Sequence, residues 1–211
     1  MQPIRLIILS LLCISLSAKT KIKKTFNSTH VKKGHFVYLK LKHIQQRSSM
    51  CAPTAAAMVI DYYGRKLPTN FIASLASERS RGQEGTNALD LINGVKKFGY
   101  RWTQKKLTYS RKGFTKQLQV LLDELNQKRP VLISYESDSA SHMVAVVGYD
   151  RQRIYIQDPN SNKSNPYKGA EVYSHRQFEK LWQHSRRVRR YVLTSPSLHD
   201  QKKSLTTKNY K

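Results

Sequence analysis

Between residues 51 and 63 the chain reads CAPTAAAMVIDYY. Cys51, Ala55, Met58 and Tyr62 fall on one line at 4-3-4 spacing, and Ala52, Ala56, Val59 and Tyr63 on the next. Two adjacent apolar stripes describe a helix buried over most of its surface. Such a helix is stable only inside a shell of other elements, so the chain must build a layered core around it. Pro53 sits in the first turn, where proline is tolerated, and Gly64 stops the helix. The material for a shell is present: 39% of the 211 residues are hydrophobic. That excludes wholesale disorder, despite 38 Lys and Arg against 13 Asp and Glu and a formal net charge of +25. The length suits one ordinary domain. Two cysteines exclude a disulfide-stapled scaffold, and no C-x-x-C pair suggests structural zinc. No apolar run approaches the roughly 20 residues of a transmembrane helix.

The ends are unlike the core. Residues 1–18 place Arg5 before an apolar stretch from Leu6 to Ser17 and close on small residues, the layout of a secretory signal peptide. Cys13 follows Leu12 rather than a small residue, which argues against a lipoprotein anchor. Cleavage near Ala18 leaves Cys51 as the single thiol, so a reactive or a buried inert role must account for it. Residues 19–34 carry six Lys and no acid and read as a basic linker; residues 195–211 read as a basic polar tail. The fold is expected over residues 35–194.

Within that span, residues 35–41 have strand composition, and helices are predicted over 51–63, 70–77, 87–98 and 114–127. Strands are predicted over 100–107, 131–135, 142–148, 153–158 and 190–193. Ser174-His175-Arg176-Gln177 has capping-box form ahead of Phe178, Leu181 and Trp182. Residues 136–141 read as a mobile loop beside His142. Helices before strands indicate an α+β fold, not a doubly wound parallel sheet.

The chemistry starts where the buried helix starts. A thiol at a helix N-terminus faces unpaired N–H groups and the positive end of the dipole, both of which favour thiolate. Gln45, six residues upstream, lies on a loop that can bring its amide alongside as an oxyanion donor, with the Cys51 N–H as second donor; Gln46 is the alternative. His142 and Asp158 are 16 residues apart, on two strands joined by a turn placed at Asp150. A ladder centred there sets Val147 opposite Arg153, Val144 opposite Ile156 and His142 opposite Asp158, so the last two share a face. The carboxylate can then orient the imidazole, leaving its other nitrogen for the thiol proton. Asn160 is the alternative orienter. His30, His35, His43, His175, His184 and His199 show no ligand spacing and read as surface or packing residues; no metal or cofactor is implied.

Residues 45–64, QQRSSMCAPTAAAMVIDYYG, resemble the nucleophile segment of cysteine peptidase family thirty-nine, the papain-like bacteriocin leader peptidases and their stand-alone relatives. Pro130-Val131-Leu132-Ile133, then HMVAVVGYD over residues 142–150 and Asp158-Pro159, resemble its second half. The resemblance runs from about Phe36 to Leu193. It implies a papain-like fold, with the nucleophile's helix packed on an antiparallel sheet. It also implies a Cys51 nucleophile, His142 base, Asp158 orienter and Gln45 oxyanion donor. Ala52 stands where many members have Gly, which bears on how the first turn packs. The exporter-fused members carry transmembrane and ATP-binding regions not found here, and an export signal puts this chain outside their compartment. Their double-glycine leader substrate therefore does not carry over.

The expected function is a secreted cysteine peptidase acting on peptide or isopeptide bonds, with a peptide or protein substrate and a monomeric state. The competing readings are a catalytically silent basic module of the cell envelope and a peptidoglycan amidase. Arg186-Arg187-Val188-Arg189-Arg190 and the Lys-rich ends suit an anionic envelope polymer or a membrane surface. No aromatic-interleaved motif accompanies them, so no specific nucleic acid is expected.

Overall fold

The computed structural model describes residues 35–76, 85–106, 110–137, 140–161, 170–183 and 190–197. The expected signal segment, basic linker, most of the Arg-rich run and nearly all of the tail lie outside these residues.

The helix α1, Cys51–Tyr62, is as enclosed as its stripes demand: every residue from Ala52 to Ile60 is buried. It packs on α2 (Thr69–Ala76), α3 (Ala88–Lys96) and the strand β4 (Ala140–Tyr149). The α2–α3 contact is close because Gly94 has no side chain; a Cβ there would stand 3.0 Å from Leu75 Cβ and 3.1 Å from its carbonyl carbon. Asn87 caps α3 by accepting from the Leu89 N–H.

The remaining elements are β1 (Val37–Tyr38), β2 (Thr103–Lys106), α4 (Arg111–Asn126), β3 (Val131–Ser137), β5 (Arg153–Gln157), β6 (Ala170–Ser174), α5 (His175–Gln183) and β7 (Arg190–Leu193). The strands form one sheet in the order β2-β7-β3-β4-β5-β6, with β1 also paired to β4. Every pairing is antiparallel. The α+β expectation, with the Cys51 helix packed on an antiparallel sheet, holds.

Three local expectations are corrected. The strand predicted over residues 35–41 contracts to Val37–Tyr38, which meets Tyr149 and Gly148 at the edge of β4 away from β5. Only glycine fits at 148, since a Cβ would overlap the Val37 carbonyl oxygen. The predicted mobile loop at 136–141 is mostly ladder: Glu136 pairs with Ser141 and Ser137 with Ala140, leaving 138 and 139 outside the described residues. Polar composition there belongs to the tip of a hairpin. β6 was not anticipated, and it ends directly in α5 through a reciprocal capping box: Gln177 Oε1 accepts from the Ser174 N–H at 2.8 Å, and Ser174 Oγ accepts from the Gln177 N–H at 3.3 Å.

The fourth correction concerns register and decides the site. The β4–β5 turn is not centred at Asp150. The Asp150 carboxylate accepts from the N–H groups of Gln152 (2.7 Å) and Arg153 (2.8 Å), and its own N–H donates to the Arg153 carbonyl (2.9 Å). Arg151 and Gln152 therefore form the tip. This hairpin pairs residues of opposite parity, Gly148 with Tyr155 and Tyr149 with Ile154. Continued unbroken, it would send His142 and Asp158 to opposite faces. A bulge at Val147 absorbs one residue, and beyond it Val146 pairs with Ile156 and Ala145 with Gln157. Parity is restored, and His142 and Asp158 lie diagonally on one face instead of directly opposed.

Candidate active site

Cys51 is the first residue of α1, with Met50 at the N-cap and no side chain capping the turn. The first intrahelical bond runs from the Thr54 N–H to the Met50 carbonyl at 3.0 Å. Pro53 has no N–H, so the donors of the first turn are the amides of Cys51 and Ala52, the latter directed at the Cys51 sulfur. The thiol is partly exposed and lies 4.0 Å from the Ser141 carbonyl oxygen.

His142 comes from β4 and Asp158 from the first position after β5. Their side chains meet at 2.8 Å, Nε2 to Oδ1, with both largely buried. Oδ1 also accepts from the Asn160 N–H at 2.7 Å, and the Ser161 N–H donates to the Asp158 carbonyl at 3.2 Å. The carboxylate is thus fixed by its own backbone turn before it fixes the imidazole. Asn160 contributes its main chain to this arrangement.

The electrostatics favour an ion pair. Burial pushes the Cys51 thiol up, but His142 and the backbone N–H groups of Met143 and Ala52 outweigh it and bring the thiol below its ordinary value. Burial pushes the His142 imidazole down, yet the Asp158 hydrogen bond and the Cys51 sulfur lift it to about 9. With Nε2 engaged by Asp158, Nδ1 is left for the thiol, the arrangement a Cys–His nucleophile needs.

Gln45 is exposed and lines a cavity of about 270 Å³ with Ile44, Arg47, Met50, Pro68, Thr69 and Asn70. No hydrogen bond joins it to Cys51 among the described residues. Gln46 is tied up elsewhere: its amide donates to the Ser48 carbonyl at 2.9 Å, and its own N–H to the Pro159 carbonyl at 2.8 Å.

A family model for the peptidase C39-like family matches residues 38–189. The chain belongs to the peptidase C39-like family. A search of curated proteins found no match. Among solved structures, the peptidase domain of Streptococcus ComA, a bifunctional ABC transporter involved in quorum sensing, superposes with a TM-score of 0.54 at 19% identity. The match covers 76% of this chain and all of that domain. A double-glycine-motif protease from an AMS/PCAT transporter, solved with its leader peptide, gives a TM-score of 0.53 at 19% identity over 76% and 95% of the two chains. A C39-like peptidase assigned in Bacillus anthracis gives 0.54 at 16% over 76% and 98%. These likenesses establish the fold; together with the family match they make this a peptidase-type chain.

Two side chains of this C39-like site escaped the sequence reading. Tyr135 on β3 stands directly opposite His142, its ring meeting the imidazole edge-to-face with centroids 5.4 Å apart. Burial, and then the Asp158 carboxylate, push the Tyr135 phenol up, so its hydroxyl keeps a proton to donate toward Asp158 Oδ2 at 3.5 Å. His43, expected at the surface or in packing, donates from Nε2 to the Asp158 carbonyl at 3.1 Å. With the Gln46–Pro159 bond it fastens the loop before α1 to the turn that holds Asp158. Tyr135 had a signal available, because antiparallel pairing of two neighbouring strands can set it opposite His142. His43 had none, since its partner is a main-chain atom 115 residues away.

Proposed function

We propose that this chain is an exported thiol peptidase that cuts peptide or isopeptide bonds, with Cys51 as nucleophile, His142 as acid and base, and Asp158 as the group that orients His142. The single observation behind this reading is the 2.8 Å His142–Asp158 contact on an imidazole that also interacts with the Cys51 thiol. The Cys51 thiolate attacks the carbonyl carbon, and the oxyanion is met by the Cys51 N–H and the Gln45 amide. The His142 imidazolium gives its proton to the leaving amine as the tetrahedral adduct collapses to a thioester. His142, now neutral, takes a proton from water, which attacks the thioester and releases the acid and the thiolate. Asp158 keeps Nε2 engaged and supports the positive charge of the resting imidazolium.

The test is peptide-library profiling of the protein beginning at Lys19, beside Cys51→Ala. Cleavage lost in Cys51→Ala, with labelling of Cys51 by a thiol-directed epoxide, is the expected result. A folded, reduced protein that neither cleaves nor labels would sink the reading. Export rests on the pattern of residues 1–18 and is checked by sequencing the N-terminus of protein recovered outside the cytoplasm. An N-terminus near Ala18 or Lys19 supports it, and an intact Met1 does not. The Lys-rich ends suit an anionic surface at that destination, which salt-dependent retention on the isolated envelope would reveal.

A further inference from the structure

The cavity beside the nucleophile carries, besides Gln45, side chains that the reaction scheme does not use. Its wall is drawn from the loop that ends at Cys51 (Ile44, Gln45, Arg47, Met50) and from the start of α2 (Pro68, Thr69, Asn70). Met50 is the residue before the nucleophile, so the cavity adjoins the start of the helix that carries Cys51. At about 270 Å³ it admits a single side chain with room for water. The lining is apolar at Ile44, Met50 and Pro68, neutral and polar at Gln45, Thr69 and Asn70, and charged only at Arg47. No acid contributes to the wall, and Arg47 forms no ion pair among the described residues.

We propose that this cavity is a specificity subsite for an acidic side chain of the substrate, an aliphatic stem against Ile44, Met50 and Pro68 and a carboxylate met by Arg47. A guanidinium presents a planar fork to a carboxylate, and a mixed apolar and polar lining suits a glutamate-like side chain better than an aspartate-like one. The inference rests on the peptidase reading for its readout in cleavage, but its binding half does not depend on turnover.

The test uses matched peptides carrying Glu, Gln or Lys at each position flanking the cleaved bond, with wild type, Arg47→Ala, Arg47→Glu and Lys112→Ala, an exposed cation outside the cavity wall. At one position wild type should favour Glu over Gln by about five- to tenfold in kcat/KM, a modest ratio because Arg47 is solvent-exposed. Most of that preference should appear in KM. Arg47→Ala should erase it, Arg47→Glu should turn it toward Lys, and Lys112→Ala should leave it intact. Unchanged iodoacetamide reactivity of Cys51 in the Arg47 variants shows that the thiol is undisturbed. Calorimetry of the same peptides on Cys51→Ala protein reads the subsite without chemistry. If wild type cleaves nothing while Cys51→Ala still prefers the Glu peptide through Arg47, the peptidase reading fails and the subsite stands. Equal handling of Glu and Gln, or a preference that Arg47→Ala retains, overturns the subsite.

Discussion

Asp158 oxygen Oδ1 has two donors, the His142 ring and the Asn160 N–H, and the second does not depend on the first. Replacing His142 should therefore leave the carboxylate in place, whereas replacing Asp158 frees the ring. Asp158→Asn keeps a hydrogen-bonding shape but removes the charge that holds the His142 imidazolium up. The wild-type kcat/KM profile should fall on its basic limb near pH 9, where the imidazolium is lost. Its acid limb should lie below the ordinary thiol value, as the lowered Cys51 requires. In Asp158→Asn the basic limb should move to lower pH and the maximum should drop about tenfold to a hundredfold. A limb that does not move would mean Asp158 has no electrostatic role. The same shift has a stability consequence. A His142 value raised in the folded state contributes stability that is complete below its unfolded value near 6.5 and is lost as pH rises through about 9. Urea unfolding at pH 6 and pH 9.5 should show that loss in wild type, and a smaller one in His142→Ala.

At the scale of elements, the sequence was most informative where a local pattern leaves few solutions. The double stripe made α1 a central helix and the S-x-x-Q run marked the start of α5, because both depend on residues three or four apart. It was least informative where pairing across space decides. The parity of His142 and Asp158 pointed to one face, yet the register drawn from it was wrong. The turn sits one to two residues later, under Asp150, and a bulge at Val147 returns the pair to a common face. A bulge carries no local signature in MVAVV, since every residue there is apolar and suits any strand. β6 was missed because AEVYS alternates too briefly to stand out beside the capping box that follows it. The close approach of β1 makes its own prediction. Gly148→Ala should push Val37 off β4 and cost about 1–3 kcal/mol, read as a lower urea midpoint. His142, six residues away along β4, should keep its chemistry, so kcat/KM should change little where the variant is folded.

For the whole molecule, β7 is the latest strand among the described residues and yet lies inside the sheet, hydrogen-bonded to β2 on one side and β3 on the other. Its surroundings close the core: Tyr191 packs edge-to-face on the buried Trp182, Thr194 bonds Tyr63 at 2.8 Å, and the Trp102 indole donates to the Ser195 carbonyl at 3.0 Å. A chain stopped at residue 183 loses both ladders and these contacts together. It should show no cooperative urea transition and no near-ultraviolet circular dichroism, and a well-folded truncated protein would contradict this account of the sheet.

Because β7 is made after every strand it joins, order of synthesis and order of assembly part company. A chain still on the ribosome can hold α1 and the β3–β4 hairpin, but β2 and β3 wait with a gap between them that only the final segment fills. Contacts between elements so far apart in sequence form slowly. The late strand thus carries its own delay, and the thiol does not meet its imidazole in a finished scaffold until β7 has arrived.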